Sequence, residues 1–153
     1  MKTIKISLTP QEKSSLRNHK IKTQDLINYN LQDLTNLLNA ATQRAKEIHA
    51  LIQFQKAPSI GPKFAQDLLS LGYYSWTDLI NKDGAQLLND YELQSGFWTD
   101  PCVEDQFRLA VHYAQHPDSQ LNWWDFTKER KEYRQQNGYP KNRPKKAWHE
   151  LYL

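Results

Sequence analysis

Ala57-Pro-Ser-Ile-Gly-Pro-Lys-Phe-Ala-Gln-Asp-Leu-Leu-Ser-Leu-Gly72 decides how this chain is read. Pro58 ends any helix that precedes it, because its ring removes an N–H and pushes the residue before it out of helical backbone. Pro62 then restarts one, since a proline at the first helical position gives up only an N–H that has no partner there. Phe64, Ala65, Leu68, Leu69 and Leu71 supply an apolar stripe, and Gly72 stops the helix. Pro58-Ser-Ile-Gly61 is therefore a hairpin between two helices. Ile60 is expected to tuck between them, and Gly61 lets something come close to the backbone. The amides of the new helix point outward at the positive end of its dipole, which makes a small, donor-rich anion site. A phosphate suits it, because backbone contacts carry no base sequence.

Working outward, helix is expected almost throughout. Thr9-Pro10-Gln11-Glu12 is a capping box with proline at the first helical position. Leu31, Leu34, Leu38, Ala41, Ala45, Ile48 and Ile52 recur at three- and four-residue steps, the spacing of one buried face. This region reads as a short helix and then a long one ending near Lys56. Ser75-Trp-Thr-Asp78 and Asp83-Gly-Ala-Gln86 start two more helices. Asp100-Pro101 opens another, with Val103, Phe107, Ala110, Val111 and Ala114 as its stripe and an end before Pro117. The nearest approach to a strand is Ile4, Ile6 and Leu8. The fold class is all-α, a compact helical bundle. Asp25-Leu-Ile-Asn28 recurs as Asp78-Leu-Ile-Asn81, with Asn30 matching Asp83 and Leu34 matching Leu87, so two similar helical units are expected.

The 153 residues carry 20 Lys or Arg and 17 Asp or Glu. Residues 127–153 hold eight of the basic side chains and three Glu, a net +5, whereas residues 1–126 are net −2. A basic tail on a near-neutral body suits a polyanion; a solvated surface extension is the alternative. No apolar run exceeds three residues, so no membrane association is expected, and Met1–Ile6 lacks the apolar core of a signal peptide. The single Cys102 excludes an intramolecular disulfide and a Cys-only zinc site. The expected location is cytoplasmic.

Catalytic and metal chemistry find little support. His112 and His116 share a helix face, but Cys102 lies about 15 Å from His112 along that helix at 1.5 Å per residue. No metal or other cofactor is called for. Cys102 reads as a small buried residue, or alternatively as a thiol activated at a helix N-terminus. Glu104 and Asp105 are sequence neighbours on different faces, suited to the helix dipole rather than to an acid–base pair. Trp123, Trp124 and Phe126 read as core at the end of the bundle, with a base-stacking platform as the alternative. Thr127 caps a helix over 128–136 with basic residues on one face. Pro140 and Pro144 then hold the tail extended, and Trp148, Leu151, Tyr152 and Leu153 form an apolar end that folds back or binds a partner.

The hairpin resembles the helix-hairpin-helix motif, in which Ser59 stands where the first hairpin glycine is usual, and Ala65 and Leu68 match its helix. The resemblance extends over about 57–128, and in a longer variant over the whole chain, to the bacterial pathogenicity-locus family of helix-hairpin-helix proteins. Pro58-Ser-Ile-Gly61, Asp67-Leu-Leu, Trp76-Thr-Asp-Leu79, Asp100-Pro-Cys102, Phe107-Arg108 and Trp123-Trp-Asp-Phe126 carry it, in that order and spacing. The chain is expected to divide into residues 1–56, an N-terminal helical unit (a possible degenerate repeat), 57–126, the helix-hairpin-helix core, and 127–153, a basic helix and tail. The pathogenicity-locus family implies no assigned activity; the helix-hairpin-helix resemblance, with the basic tail, implies non-catalytic, non-sequence-specific binding to DNA backbone, as an accessory in repair or processing. The expected contacts are Ser59, Ile60, Gly61 and Lys63, extended by Lys128, Lys131, Arg134, Lys141, Arg143, Lys145 and Lys146. Some helix-hairpin-helix proteins are glycosylases with a catalytic residue where Lys63 and Asp67 lie, but this chain is short for a base pocket. The alternative is a protein-interaction module of the same fold, anchored by the C-terminal end.

Overall fold

The computed structural model describes residues 2–152, with side chains through Glu150. Its helices are α1 (Pro10–Asn18), α2 (Leu31–Leu38), α3 (Thr42–Phe54), α4 (Pro62–Ser70), α5 (Gly84–Ser95), α6 (Cys102–Gln115) and α7 (Thr127–Asn137). Short 3-10 turns cover Thr23–Asn28, Trp76–Leu79, Trp123–Phe126 and Trp148–Tyr152. Among the described residues there is no strand, and the protein is all-α. One isolated parallel bridge joins Trp98 to Ala147.

Contacts divide the chain after Trp76. The sequence-based lines fall instead after residues 56 and 126; α4 packs on α3, which keeps both helices in the first unit. There, Ile4, Leu16, Leu26, Leu34, Leu38, Ile48 and Ile52 form the core, with Ile6 and Leu8 packed against it. The short helix and the long one are α2 and α3: Asn39 takes a left-handed φ of 48° and closes α2, and Leu31 and Ala41, counted on the buried face, are exposed. Residues 2–5 lie extended and are held by two glutamine side chains that imitate a neighbouring strand. Gln24 accepts from the Ile4 amide and donates to the Lys2 carbonyl, and the buried Gln55 accepts from the Lys5 amide and donates to its carbonyl.

In the second unit, α5 lies against α6, burying Leu87, Leu88, Phe107, Leu109 and Ala110. Gly84 opens α5 hard against Arg108: a Cβ there would stand 2.6 Å from Arg108 Cγ.

The internal repeat falls on like elements. Asp25–Asn28 and Asp78–Asn81 both lie at 3-10 turns, and each is followed by a helix whose N-cap side chain, Asn30 or Asp83, accepts a first-turn amide. α1 and α4 each run nine residues from a proline, and each is followed by a left-handed residue, Lys20 (φ 56°) or Gly72 (φ 91°).

Candidate functional site

α3 ends at Phe54, and the chain reverses through 55–61 into α4. The Ile60 amide donates to the Ala57 carbonyl, and the Ile60 side chain is fully buried, as its place in the hairpin suggested. Ser59 holds a φ of +58°. A glycine adopts that backbone freely, whereas for a residue with a Cβ it costs about 1–2 kcal/mol. Gly61 is different. Its φ of −98° and ψ of −175° are extended backbone open to any residue, and a Cβ built there meets nothing within 4 Å. Neither conformation nor internal packing asks for glycine at 61.

Gly61 is the N-cap of α4 and has no side chain of its own to cap the first turn. Lys63 follows with a side chain 85% exposed, 3.6 Å from Asp67. At the corresponding end of α1 the site is closed: Thr9 and Glu12 form the reciprocal box, and Glu12, nearly buried, is gripped by Arg44 through Nε and Nη2 at 3.0 and 2.9 Å. The guanidinium beside Glu12 holds its carboxyl below the usual carboxylate range. A carboxylate thus occupies the start of α1, whereas Gly61 places no side chain at the start of α4.

Lys2 reaches the hairpin from the extended N-terminal segment and donates to the carbonyls of Ala57 and Ile60. Burial pulls its ammonium down to about 8, while the two carbonyl acceptors favour the charged form.

The basic C-terminal residues divide by type. Arg134 is 8% exposed and spans Glu104, the Ala85 carbonyl, Asn89 and the Gly138 carbonyl. Arg143 clasps Glu92 through both oxygens at 2.7 and 3.0 Å and stacks on Tyr139, 3.6 Å from the ring centre. These two arginines, expected on phosphate, are committed to carboxylates inside the unit. Arg130 does the same with Asp105 at 2.6 Å. Lys128, Lys131, Lys141, Lys145 and Lys146 are all exposed. Every arginine of the segment thus anchors, and every lysine faces solvent, as expected of a planar fork suited to buried pairs and a strongly hydrated point charge.

Sequence reading missed the partners of those arginines. Glu92, Glu104 and Asp105 are fully buried. Glu104 and Asp105, read as dipole complements, receive Arg108, Arg134, Arg130 and Thr127. The available signal was the choice of arginine over lysine at 130, 134 and 143.

Other candidates resolve plainly. Burial and the Asp100 carboxylate push the Cys102 thiol up to about 12, which removes the activated-thiol reading. The His112 and His116 rings lie 4.7 Å apart, and His112 meets Ser119 Oγ at 3.0 Å. Among the described residues no group of three His, Cys, Asp or Glu is placed to hold a metal ion. Trp124 is 55% exposed and packs edge-on against Trp123, so it is not core. Trp148 is exposed; the side chains of Leu151 and Tyr152, and Leu153 altogether, lie outside the described residues. No helix among the described residues is long and apolar enough to cross a membrane.

Searches of curated proteins and of solved structures return no match. A family model described as "Pathogenicity locus" matches residues 47–132, from the second half of α3 through the hairpin, α4, α5 and α6 into α7. That is more than half of the chain, and the protein belongs to the pathogenicity locus family.

Proposed function

We propose that this protein is a helix-hairpin-helix module that binds the DNA phosphate backbone without base specificity, with the hairpin of residues 58–61 and Lys63 as its contact. The observation that carries the reading is Gly61: a glycine that neither its backbone nor its packing requires, at the start of α4 beside an exposed lysine. A bare backbone in that position suits close approach of a phosphate. Lys128, Lys131, Lys141, Lys145 and Lys146 supply a second source of positive charge. Arg134 and Arg143 serve the fold of the segment that carries them.

The test is fluorescence anisotropy of the full chain against short double- and single-stranded DNA between 50 and 200 mM salt, with Gly61→Glu beside the wild type. About four engaged phosphates give a slope near −3.6 in log K against log salt, and roughly a hundredfold loss over that range. Gly61→Glu should abolish binding while leaving the thermal melt in place, since a Cβ at 61 meets nothing within 4 Å. A flat salt response, or binding indifferent to Gly61→Glu, sinks the proposal.

A protein-interaction role is the second reading, supported by exposure of Leu121, Trp124 and Trp148. Trp124→Ala and Trp148→Ala should then release a partner without changing DNA affinity.

A further inference from the structure

A cleft of about 290 Å³ opens beside the hairpin, between the extended N-terminal segment, α3 and the first turns of α4. Lys5, Ser7, Arg44, Lys63 and Gln66 line it together with apolar residues, and no carboxylate does. A cleft of about 230 Å³ in the second unit has Lys82 and Arg108 in its wall, but also Asp83 and Glu129, so its field is mixed. A third cleft, of about 300 Å³, has Lys13, Arg17 and Lys22 in its wall and likewise no carboxylate; the first differs from it in including Lys63 at the start of α4.

Its cations are positioned from behind. The backbone of Lys5 is clasped on both sides by the buried amide of Gln55, while the Lys5 side chain is exposed. Arg44 is fixed by Glu12 and by the Ser7 carbonyl through Nε and Nη2, and Glu47 also acts on its charge. Lys63 stands on the opposite wall, shared with the hairpin site, and Gln66 is one turn further along the same helix. A ligand here meets an arginine floor, two lysine ammonium groups and an amide donor. Those are the groups that take a phosphodiester.

We infer that this cleft is a second phosphate position, in which Lys5, Lys63, Gln66 and Arg44 hold the phosphodiester next to the one at the hairpin on the same DNA strand. The inference rests on the backbone-binding reading and adds to it residues of the N-terminal segment and α3. Lys63, lining both positions, bridges the two phosphates. The extended segment 2–7 is then part of the binding face rather than packing alone: Lys2 fixes the hairpin and Lys5 fills the neighbouring position.

The experiment is the same titration with Lys5→Gln and Gln66→Glu beside the wild type and Gly61→Glu. Loss of one neutralised phosphate lowers the salt slope by about 0.9 and weakens binding about eightfold at 0.1 M salt. Lys5→Gln should show both effects on every DNA sequence tried, with an unchanged melt. Gln66→Glu, which brings a negative charge into the cleft, should weaken binding at least as much. If Gly61→Glu abolishes binding while both cleft variants keep the wild-type slope and affinity, the second position is refuted and the hairpin reading stands. A wild type without salt-dependent binding overturns both.

Discussion

Replacing Arg143 with alanine separates anchoring from ligand binding. In the folded protein the Arg143 guanidinium meets both oxygens of Glu92, and the Thr99 amide is the other donor to that carboxylate, at 2.7 Å. Glu92 is closed to both water and ions, 0% exposed. Removing the arginine leaves one oxygen with no donor and the charge with a single amide. Loss of one partner from a buried pair costs about 3–5 kcal/mol. Stacking of the guanidinium on Tyr139 and Trp98 adds about 0.5–1 kcal/mol. Arg143→Ala should therefore destabilise the second unit by at least about 3 kcal/mol in urea unfolding followed by tryptophan fluorescence. It should also speed hydrogen exchange at the Trp98 and Trp148 amides, which form the bridge to the tail. The double variant Glu92→Leu with Arg143→Leu removes both charges and strands only the Thr99 amide, at about 1–3 kcal/mol; it should be more stable than the single change. A single variant within 1 kcal/mol of wild type would refute the buried-anchor argument, and one that keeps its stability but loses DNA would return Arg143 to the phosphate.

Three further changes test other parts of the fold. Ser59→Gly relieves the left-handed strain at the hairpin and, after the entropy cost of glycine, should raise stability by up to about 1 kcal/mol; a lower melting temperature would contradict this. Gly84→Ala forces a methyl group to 2.6 Å from Arg108 Cγ and 2.9 Å from its Cα, and should cost about 1–3 kcal/mol in the same unfolding assay; no loss would mean that α5 and α6 give way easily. Cys102, held up to about 12, is overwhelmingly protonated at pH 8, so iodoacetamide should label the folded protein far more slowly than the urea-unfolded chain; fast labelling of the folded form would show the thiol to be activated after all.

Local chemistry was readable where it is self-contained. Thr9 with Glu12 reads as a capping box and is one; Pro62 and Gly72 bracket a helix because proline and glycine act through their own backbones. Periodicity was less reliable. The stripe from Leu31 to Ile52 keeps helical spacing across a break, because residues on two successive helices can face one core. Long-range polar pairing was the least readable. Glu92 meets Arg143 across 51 positions and Glu104 meets Arg134 across 30, and no local pattern specifies such a partner. Counting charge in residues 127–153 yields the net sign of the segment but not the buried carboxylates that hold Arg134 and Arg143. Ser59 was recognised as a departure from glycine; that the backbone would nonetheless take the glycine conformation depended on the packing of Ile60 and the helices around it.

The division between arginine and lysine in the C-terminal segment makes surface charge independent of architecture. Acylating Lys128, Lys131, Lys141, Lys145 and Lys146 would erase five ammonium groups and leave the three guanidinium clasps chemically intact, since acylating reagents pass over arginine. Mutation meets the same asymmetry. The lysines can drift to other polar residues at the cost of electrostatic reach alone, whereas Arg130, Arg134 and Arg143 tolerate neither loss nor exchange for lysine, whose ammonium cannot reproduce a two-pronged grip. Charge on this segment can be altered chemically while the arginine clasps that hold it stay as they are.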